Sequence, residues 1–171
     1  FLALREGLLG RTPGGFVLAR AVAGEAEILT IGVDQRFERA GLGWRLMQAA
    51  LREAKRRGAD DAIFTTSDGY VLEAPTASLI VRRGDTFVTP APNAGILHGT
   101  TQLSLFEHLA LRGFAVGYET IPVASLAEAD AAWLVSSVRL AAPITAIDDA
   151  PLAVDAEFTA SLNAYLLSPR D

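Results

Sequence analysis

Three separated stretches of this chain carry side chains that could grip an anion beside a charged ring. Glu73 closes the run Asp68-Gly69-Tyr70-Val71-Leu72-Glu73-Ala74-Pro75, and Gly95-Ile96-Leu97-His98-Gly99-Thr100-Thr101 leads straight into a helix. Ser136-Ser137 follows the apolar run Ala132-Trp133-Leu134-Val135. A helix start offers free backbone N–H groups and the positive end of the peptide dipoles, which makes it a ready anion site. Gly99 would let the backbone approach closely, and the hydroxyls of Thr100 and Thr101 would add donors. The same stretch reads equally well as an ordinary start with Thr100 as N-cap. A turn at Ser136-Ser137 could present hydroxyls and N–H groups to a second edge of the same phosphate, or could simply end a strand. Glu73, if it ends a buried strand, needs a partner that justifies its desolvation. A protonated pyridine nitrogen is one such partner, because the ion pair keeps the ring electron-withdrawing. A solvated strand end is the alternative.

The remaining candidates are weaker. His98 could act as a base or be a surface or packing residue, and His108 lies mid-helix with no role suggested by its neighbours. Arg139, just after the serine turn, could meet a substrate carboxylate or face solvent. Asp68 reads as a turn residue and Arg82-Arg83 as a charged hairpin tip. Lys55 is the sole lysine, against fourteen arginines, and sits in Arg52-Glu53-Ala54-Lys55-Arg56-Arg57 on the charged side of a helix, a poor place for chemistry.

The elements that must position these groups follow from periodicity and breakers. Residues 2–9 read as a short helix, Thr12-Pro13-Gly14-Gly15 as a turn, and 16–22 and 27–33 as a strand pair. Trp44, Met47, Leu51 and Ala54 recur at helical spacing up to a stop at Gly58. Extended runs are expected at 62–66, 70–73, 78–81, 86–89, 115–121, 132–135 and 144–147. An amphipathic helix is expected over 100–112 with Leu103, Phe106, Leu109 and Ala110 inward, and a last helix begins at Asp155 with Phe158, Leu162, Tyr165 and Leu166 on one face. Strands and helices mix without strict alternation, so the fold class is α+β.

Composition bounds the partners. Half of the 171 residues are hydrophobic and 20% are charged, a globular balance that can bury one good core. The net charge of -5 argues against nucleic acid or an anionic membrane as partner. No apolar run is long enough to span a bilayer. Cysteine is absent, which removes thiolate metal sites and sits comfortably with a cytoplasmic protein; no metal site is expected. The first residue is Phe1 and the sole methionine is Met47, so a longer polypeptide is expected.

Together these segments resemble the fold-type IV pyridoxal-phosphate enzymes, which include branched-chain and D-amino-acid aminotransferases and aminodeoxychorismate lyases. The matching stretches are 49–54, 63–76, 96–101 and 133–137; they fall in family order and cover most of 44–150. The resemblance implies pyridoxal 5'-phosphate as cofactor, with Glu73 on its pyridine nitrogen and with Gly99, Thr100, Thr101 and Ser137, beside Ser136, at its phosphate. Ser78 occupies a position that is often asparagine in the aminotransferases, and is expected with Arg139 on the substrate side. The finer phrases are similar to aminodeoxychorismate lyase, which turns 4-amino-4-deoxychorismate into 4-aminobenzoate and pyruvate for folate synthesis. An anionic amino substrate and a cytoplasmic homodimer follow by the same resemblance. The aminotransferases are the alternative, and a non-catalytic binding homologue is a third. In the family the Schiff-base lysine lies shortly before the helix carrying Ala49–Ala54. Here that region reads Glu38-Arg39-Ala40-Gly41-Leu42-Gly43-Trp44, with no lysine, as though a short segment were missing near 40–42. The catalytic residue is therefore unknown. The family's N-terminal small domain is expected to be mostly absent, with 1–36 its remnant and 37–171 the cofactor-binding domain.

Overall fold

The computed structural model describes residues 10–12, 15–20, 27–33, 35–56, 58–66, 68–92, 96–148 and 150–169. The expected helix over 2–9 and the positions Pro13, Gly14, Ser67 and Gly95 lie outside the described residues. The chain divides into two compact units, Phe1–Tyr70 and Val71–Asp171.

In the first unit, β1 (Gly10–Thr12), β2 (Gly15–Arg20) and β3 (Glu27–Val33) form an antiparallel sheet in that order. The β2–β3 register shifts between Leu18 and Ala19. A 3₁₀ turn at Gln35–Phe37 and a turn through Arg39 (φ 60°) and Gly41 (φ 74°) lead into α1 (Leu42–Arg56). The helix packs on β2 and β3, so by its contacts it belongs with the first unit, whereas the expected division at 36/37 groups it with the later segments. Its inward face differs from the expected one. Leu46, Ala50 and Ala54 are buried, while Trp44 is 62% exposed and Met47 and Leu51 are half-buried. Leu46 and Ala50 pack with Ala62, and Leu42, Leu51 and Phe64 lie against that cluster. The expected strand at 62–66 is not regular; Thr66 and Tyr70 instead close a tight turn, with Tyr70 N donating to Thr66 Oγ1 at 3.0 Å.

The second unit is built on a five-stranded sheet in the order β6-β5-β4-β7-β8. These strands are β4 (Ser78–Arg83), β5 (Thr86–Pro90), β6 (Ala115–Glu119), β7 (Ala131–Ser136) and β8 (Leu140–Pro143). Only β5 and β6 run parallel, because α2 (Thr100–Leu111) carries the chain back between them; the other neighbours are antiparallel. The mixture confirms the α+β class. The central strands β4 and β7 are buried on both faces, which explains their nearly unbroken apolar runs. On one face Ile80, Phe87, Trp133, Val135 and Ala141 join Leu105, Phe106 and Leu109 of α2 and Leu162 of α3 (Ala156–Leu167) in a single core. Each large side chain there contributes about 1.5–3 kcal/mol by leaving water. The alternate residues Leu79, Val81, Val88, Ala132 and Leu134 point to the other face and are buried too. β9 (Ala146–Ile147) and β10 (Ala150–Pro151) pair as a short ribbon, which shortens the expected strand at 144–147.

Polar contacts fix α3 in place. Asp155 caps it by accepting from Phe158 N at 2.9 Å and pairs with Arg82 Nη1 at 2.8 Å. The Arg82 guanidinium also lies 4.9 Å from the Phe158 ring centroid. Trp133 Nε1, wholly buried, donates to Thr159 Oγ1 at 2.7 Å. Asn163 grips β8 from both sides, accepting from Ala141 N and donating to Ala141 O. The residues expected at the hairpin tip are therefore engaged: besides Arg82, Arg83 bonds Glu119 and Ser125.

Candidate functional site

Strand pairing and one helix start bring the sequence-predicted residues to one end of the second unit's sheet. Ser78 is the first residue of β4 and stands opposite Val135, the residue before Ser136 at the end of β7. Gly99 packs onto Ser78 so closely that a Cβ built on it would fall 2.7 Å from Ser78 Oγ. Two residues before Gly99, Leu97 N donates to Glu73 Oε1 at 3.4 Å. Glu73, Ser78, the start of α2 and the end of β7 are thus linked contact by contact.

The helix start settles one alternative. Gly99, not Thr100, is the N-cap; its backbone is extended (φ -69°, ψ 137°) and no side chain caps the helix. The first intrahelical bond runs from Leu103 N to Gly99 O at 3.0 Å. The N–H groups of Thr100, Thr101 and Gln102 precede it and have no acceptor within the helix. The Thr100 hydroxyl is exposed and that of Thr101 half-buried. Such an end favours an anion on grounds of both dipole and donors.

At the serine turn, Ser136 Oγ accepts from Arg139 N at 3.2 Å, so this hydroxyl also shapes the turn that Ser137, Val138 and Arg139 make. Ser137 is exposed, Arg139 half-buried, and Leu140 takes a left-handed backbone (φ 58°) as β8 begins. Burial raises the Glu73 carboxyl above its ordinary range, and the Leu97 N–H opposes that rise. A cationic partner would reverse the shift. His98 is half-buried and stacks flat on Tyr118, ring centroids 4.9 Å apart, while its Nε2 is buried without a hydrogen-bond partner among the described residues. His108 stands apart from these groups. It stacks on Tyr165 at 3.8 Å, and burial, then Arg112, lowers its pKa. Lys55 is exposed near the end of α1, in the first unit.

One residue was missed. Gln102 is 1% exposed, and its Nε2 has no hydrogen-bond partner among the described residues. The buried face of α2 is Gln102, Leu105, Phe106 and Leu109, whereas Leu103 is 39% exposed and Ala110 exposed. The spacing i, i+3, i+4, i+7 was visible in the sequence, but a polar residue held its first position. Among the described residues no group of three or more His, Asp or Glu could share a metal ion, and no helix is long and apolar enough to cross a membrane.

A mixed sheet with an anion-ready helix start and a carboxylate beside it defines a class, and comparison with known proteins identifies it. A model of the amino-transferase class IV family matches residues 42–147, well over half of the chain, and the chain belongs to that family. The family is pyridoxal-phosphate dependent, and its fold is that of the fold-type IV enzymes. A bifunctional aminodeoxychorismate lyase / D-amino acid transaminase of Mycobacterium tuberculosis is 40% identical over 114 residues, covering 63% of this chain and 39% of that protein. A chloroplastic branched-chain aminotransferase of Arabidopsis thaliana is 32% identical, covering 57% of this chain and 26% of its own. A fold IV transaminase from Curtobacterium pusillum superposes with a TM-score of 0.68 at 48% identity, covering 77% of this chain and 47% of that one. The PLP-bound form of a hypothetical aminotransferase from Mycobacterium tuberculosis gives 0.69 at 39%, covering 75% and 46%. The chain therefore spans less than half the length of these relatives. A second model, of the acetyltransferase (GNAT) family, matches residues 4–72.

The residues present fit the cofactor in part. A glycine whose Cβ position is already filled by Ser78, three N–H groups without helical acceptors and an orphaned buried amide suit a phosphate. Glu73, partly desolvated, suits a ring nitrogen. The donor set for a covalent anchor is missing, since the only lysine is Lys55.

Proposed function

We propose that this chain carries the cofactor-binding part of a pyridoxal-phosphate lyase that converts 4-amino-4-deoxychorismate to 4-aminobenzoate and pyruvate. The observation that carries the reading is the linked set Glu73–Leu97–Gly99–Ser78–Val135, which joins the carboxylate to both hydroxyl-bearing turns. The choice of lyase rests on the 40% identity to the mycobacterial bifunctional protein. When bound, the cofactor supplies an electron sink for deprotonation beside the substrate amine. The chain's own residues do the rest. The first turn of α2, with Thr100 and Thr101, binds the phosphate, joined by Ser136 and Ser137 from the turn after β7. Glu73 holds the pyridine nitrogen protonated. Ser78 and Arg139 are assigned to the anionic substrate. The proposed assembly is a cytoplasmic homodimer.

Binding and turnover are tested separately. Pyridoxal phosphate added to the chain should give a saturable absorbance change that Glu73→Ala weakens; no saturable change sinks the reading. In an otherwise identical polypeptide carrying the family's lysine, pyruvate should appear with 4-aminobenzoate. Amino-group exchange with keto acids, without 4-aminobenzoate, would instead establish the aminotransferase alternative, which the branched-chain relatives support.

A second observation bears on residues 1–36. The acetyltransferase match over 4–72 crosses the 36/37 position without a break and nearly coincides with the first compact unit. It supports an acetyltransferase-like reading of the segment before residue 42 in place of a class IV remnant, while over 42–72 the two matches overlap and the class IV match keeps α1 with the later segments. Hydrogen exchange distinguishes the two: α1 should share the protection of β2 and β3. If α1 opens together with β4–β8, the 36/37 division stands.

A further inference from the structure

Two buried side-chain nitrogens lack a hydrogen-bond partner among the described residues, His98 Nε2 and Gln102 Nε2, and both belong to the five-residue segment that starts α2. Native proteins leave few buried polar atoms unpaired, and two such atoms on one short segment call for a bonding partner, which for an amide nitrogen is an acceptor. Gln102 is the informative one. Its amide nitrogen is a donor only, and at 1% exposure it is held away from bulk solvent, where Leu or Met would leave no donor unpaired. It occupies the third position of the helix, and a helical side chain leans back toward the N-terminus of its own helix. That direction carries it back over His98 and Gly99, at the mouth of the turn where the Thr100 and Thr101 N–H groups also lack helical acceptors.

We propose that Gln102 is an oxyanion-binding residue, its Nε2 donating to a phosphate-class group seated against the first turn of α2. This rests on the cofactor reading and adds a ligand-facing donor from the buried face of the helix, where the motif residues supply donors from its tip. A charge-assisted bond from a desolvated amide is among the stronger neutral-donor contacts, so its loss costs on the order of tenfold in affinity.

The experiment compares three probes on the full chain: pyridoxal 5'-phosphate, pyridoxal and inorganic phosphate. Each is titrated against the unmodified protein and Gln102→Met, with Gln102→Leu as a second variant should methionine pack poorly. Affinity is read by absorbance for the first two probes and by the rise in Tm for all three. The expected result is a loss of about tenfold for pyridoxal 5'-phosphate in Gln102→Met, unchanged pyridoxal affinity, and a ligand-free Tm equal to or above that of the unmodified protein. Equal losses for both vitamers, or no loss for either, overturns the proposal. So does a lower ligand-free Tm with the preference for phosphate intact, since the amide then serves the fold. If the unmodified protein does not prefer the phosphorylated vitamer, the cofactor reading fails, and inorganic phosphate decides Gln102 alone. A phosphate-induced rise in Tm that Gln102→Met abolishes supports it; no rise overturns it.

Discussion

Replacing Gly99 by alanine tests the site where its geometry is tightest. The Gly99 backbone is extended (φ -69°, ψ 137°), a conformation any residue adopts, so alanine meets no backbone strain. On that count alone it would stabilise by about 0.4–1 kcal/mol, through the narrower unfolded ensemble. The new Cβ, however, would lie 2.7 Å from Ser78 Oγ, and Ser78 is 8% exposed in a strand paired with β7. Forcing a methyl into a filled position costs about 1–3 kcal/mol, so the single variant should lose up to about 2.5 kcal/mol. Removing the hydroxyl removes the conflict, because the next atom, Ser78 Cβ, stands at 3.8 Å, an ordinary contact. In a Ser78→Ala background Gly99→Ala should therefore be neutral or mildly stabilising, giving a coupling of about 1–3 kcal/mol. The assay is urea unfolding followed by fluorescence of Trp133, which is wholly buried in the second unit's core, with exposed Trp44 replaced by Phe. A coupling below about 0.5 kcal/mol would mean that Ser78 and Gly99 do not press on each other, and the cradle would be refuted.

Three further outcomes follow from the structure. Because burial raises the Glu73 carboxyl above its ordinary 4.5, the folded state holds that proton longer than the unfolded one, so stability falls as pH rises from about 4.5 through the folded value. Glu73→Gln should flatten that fall, and bound pyridoxal phosphate should oppose it by pairing the charge; melts across this range that do not differ between variant and parent would contradict both. Thr159→Val should cost about 1–3 kcal/mol by orphaning the indole N–H of Trp133, while Thr159→Ser should recover most of it; equal melting temperatures for the two variants would count against the bond. Borohydride treatment with stoichiometric pyridoxal phosphate should label Lys55, exposed near the end of α1, no better than free lysine added as competitor; labelling that excess free lysine does not suppress would overturn its dismissal.

How much of this was legible in the sequence depends on what each signal measures. Strands buried on both faces announce themselves by composition, and β4 and β7 were found to within a residue or two for that reason. Helix existence was equally clear, and part of each inward face was too, since Ala54 of α1 and Phe106 and Leu109 of α2 are buried. The expected faces also took in bulky Trp44 and Leu103, which the structure leaves exposed. α1 instead buries Leu46 and Ala50 and leaves Trp44 62% exposed, and α2 buries Gln102 and leaves Leu103 39% exposed. A hydrophobic count rewards side-chain size, whereas packing rewards fit and whatever a site needs. β8 was missed because it is four residues long and starts from a left-handed Leu140, which no local propensity predicts. The pairing of β5 with β6 in parallel follows from a crossover helix between them, legible once the helix is placed.

The absence of a suitable lysine separates two properties that a complete enzyme of this kind runs together. Holding a phosphorylated ring needs donors, a close-approach glycine and a counter-charge, and all of these arise within the second unit from contacts that involve no residue before Val71. Covalent anchoring and proton transfer need an amine with an adjustable pKa, and the sequence supplies only Lys55, outside that unit. The Glu73–Leu97 bond and the Gly99–Ser78 contact hold without any lysine. Affinity for the cofactor should therefore survive in the chain as it stands, since nothing that builds the grip depends on the residue that would do the chemistry. The same argument places Gln102 with the grip: its buried amide nitrogen has no partner among the described residues, and a bound phosphate would supply one.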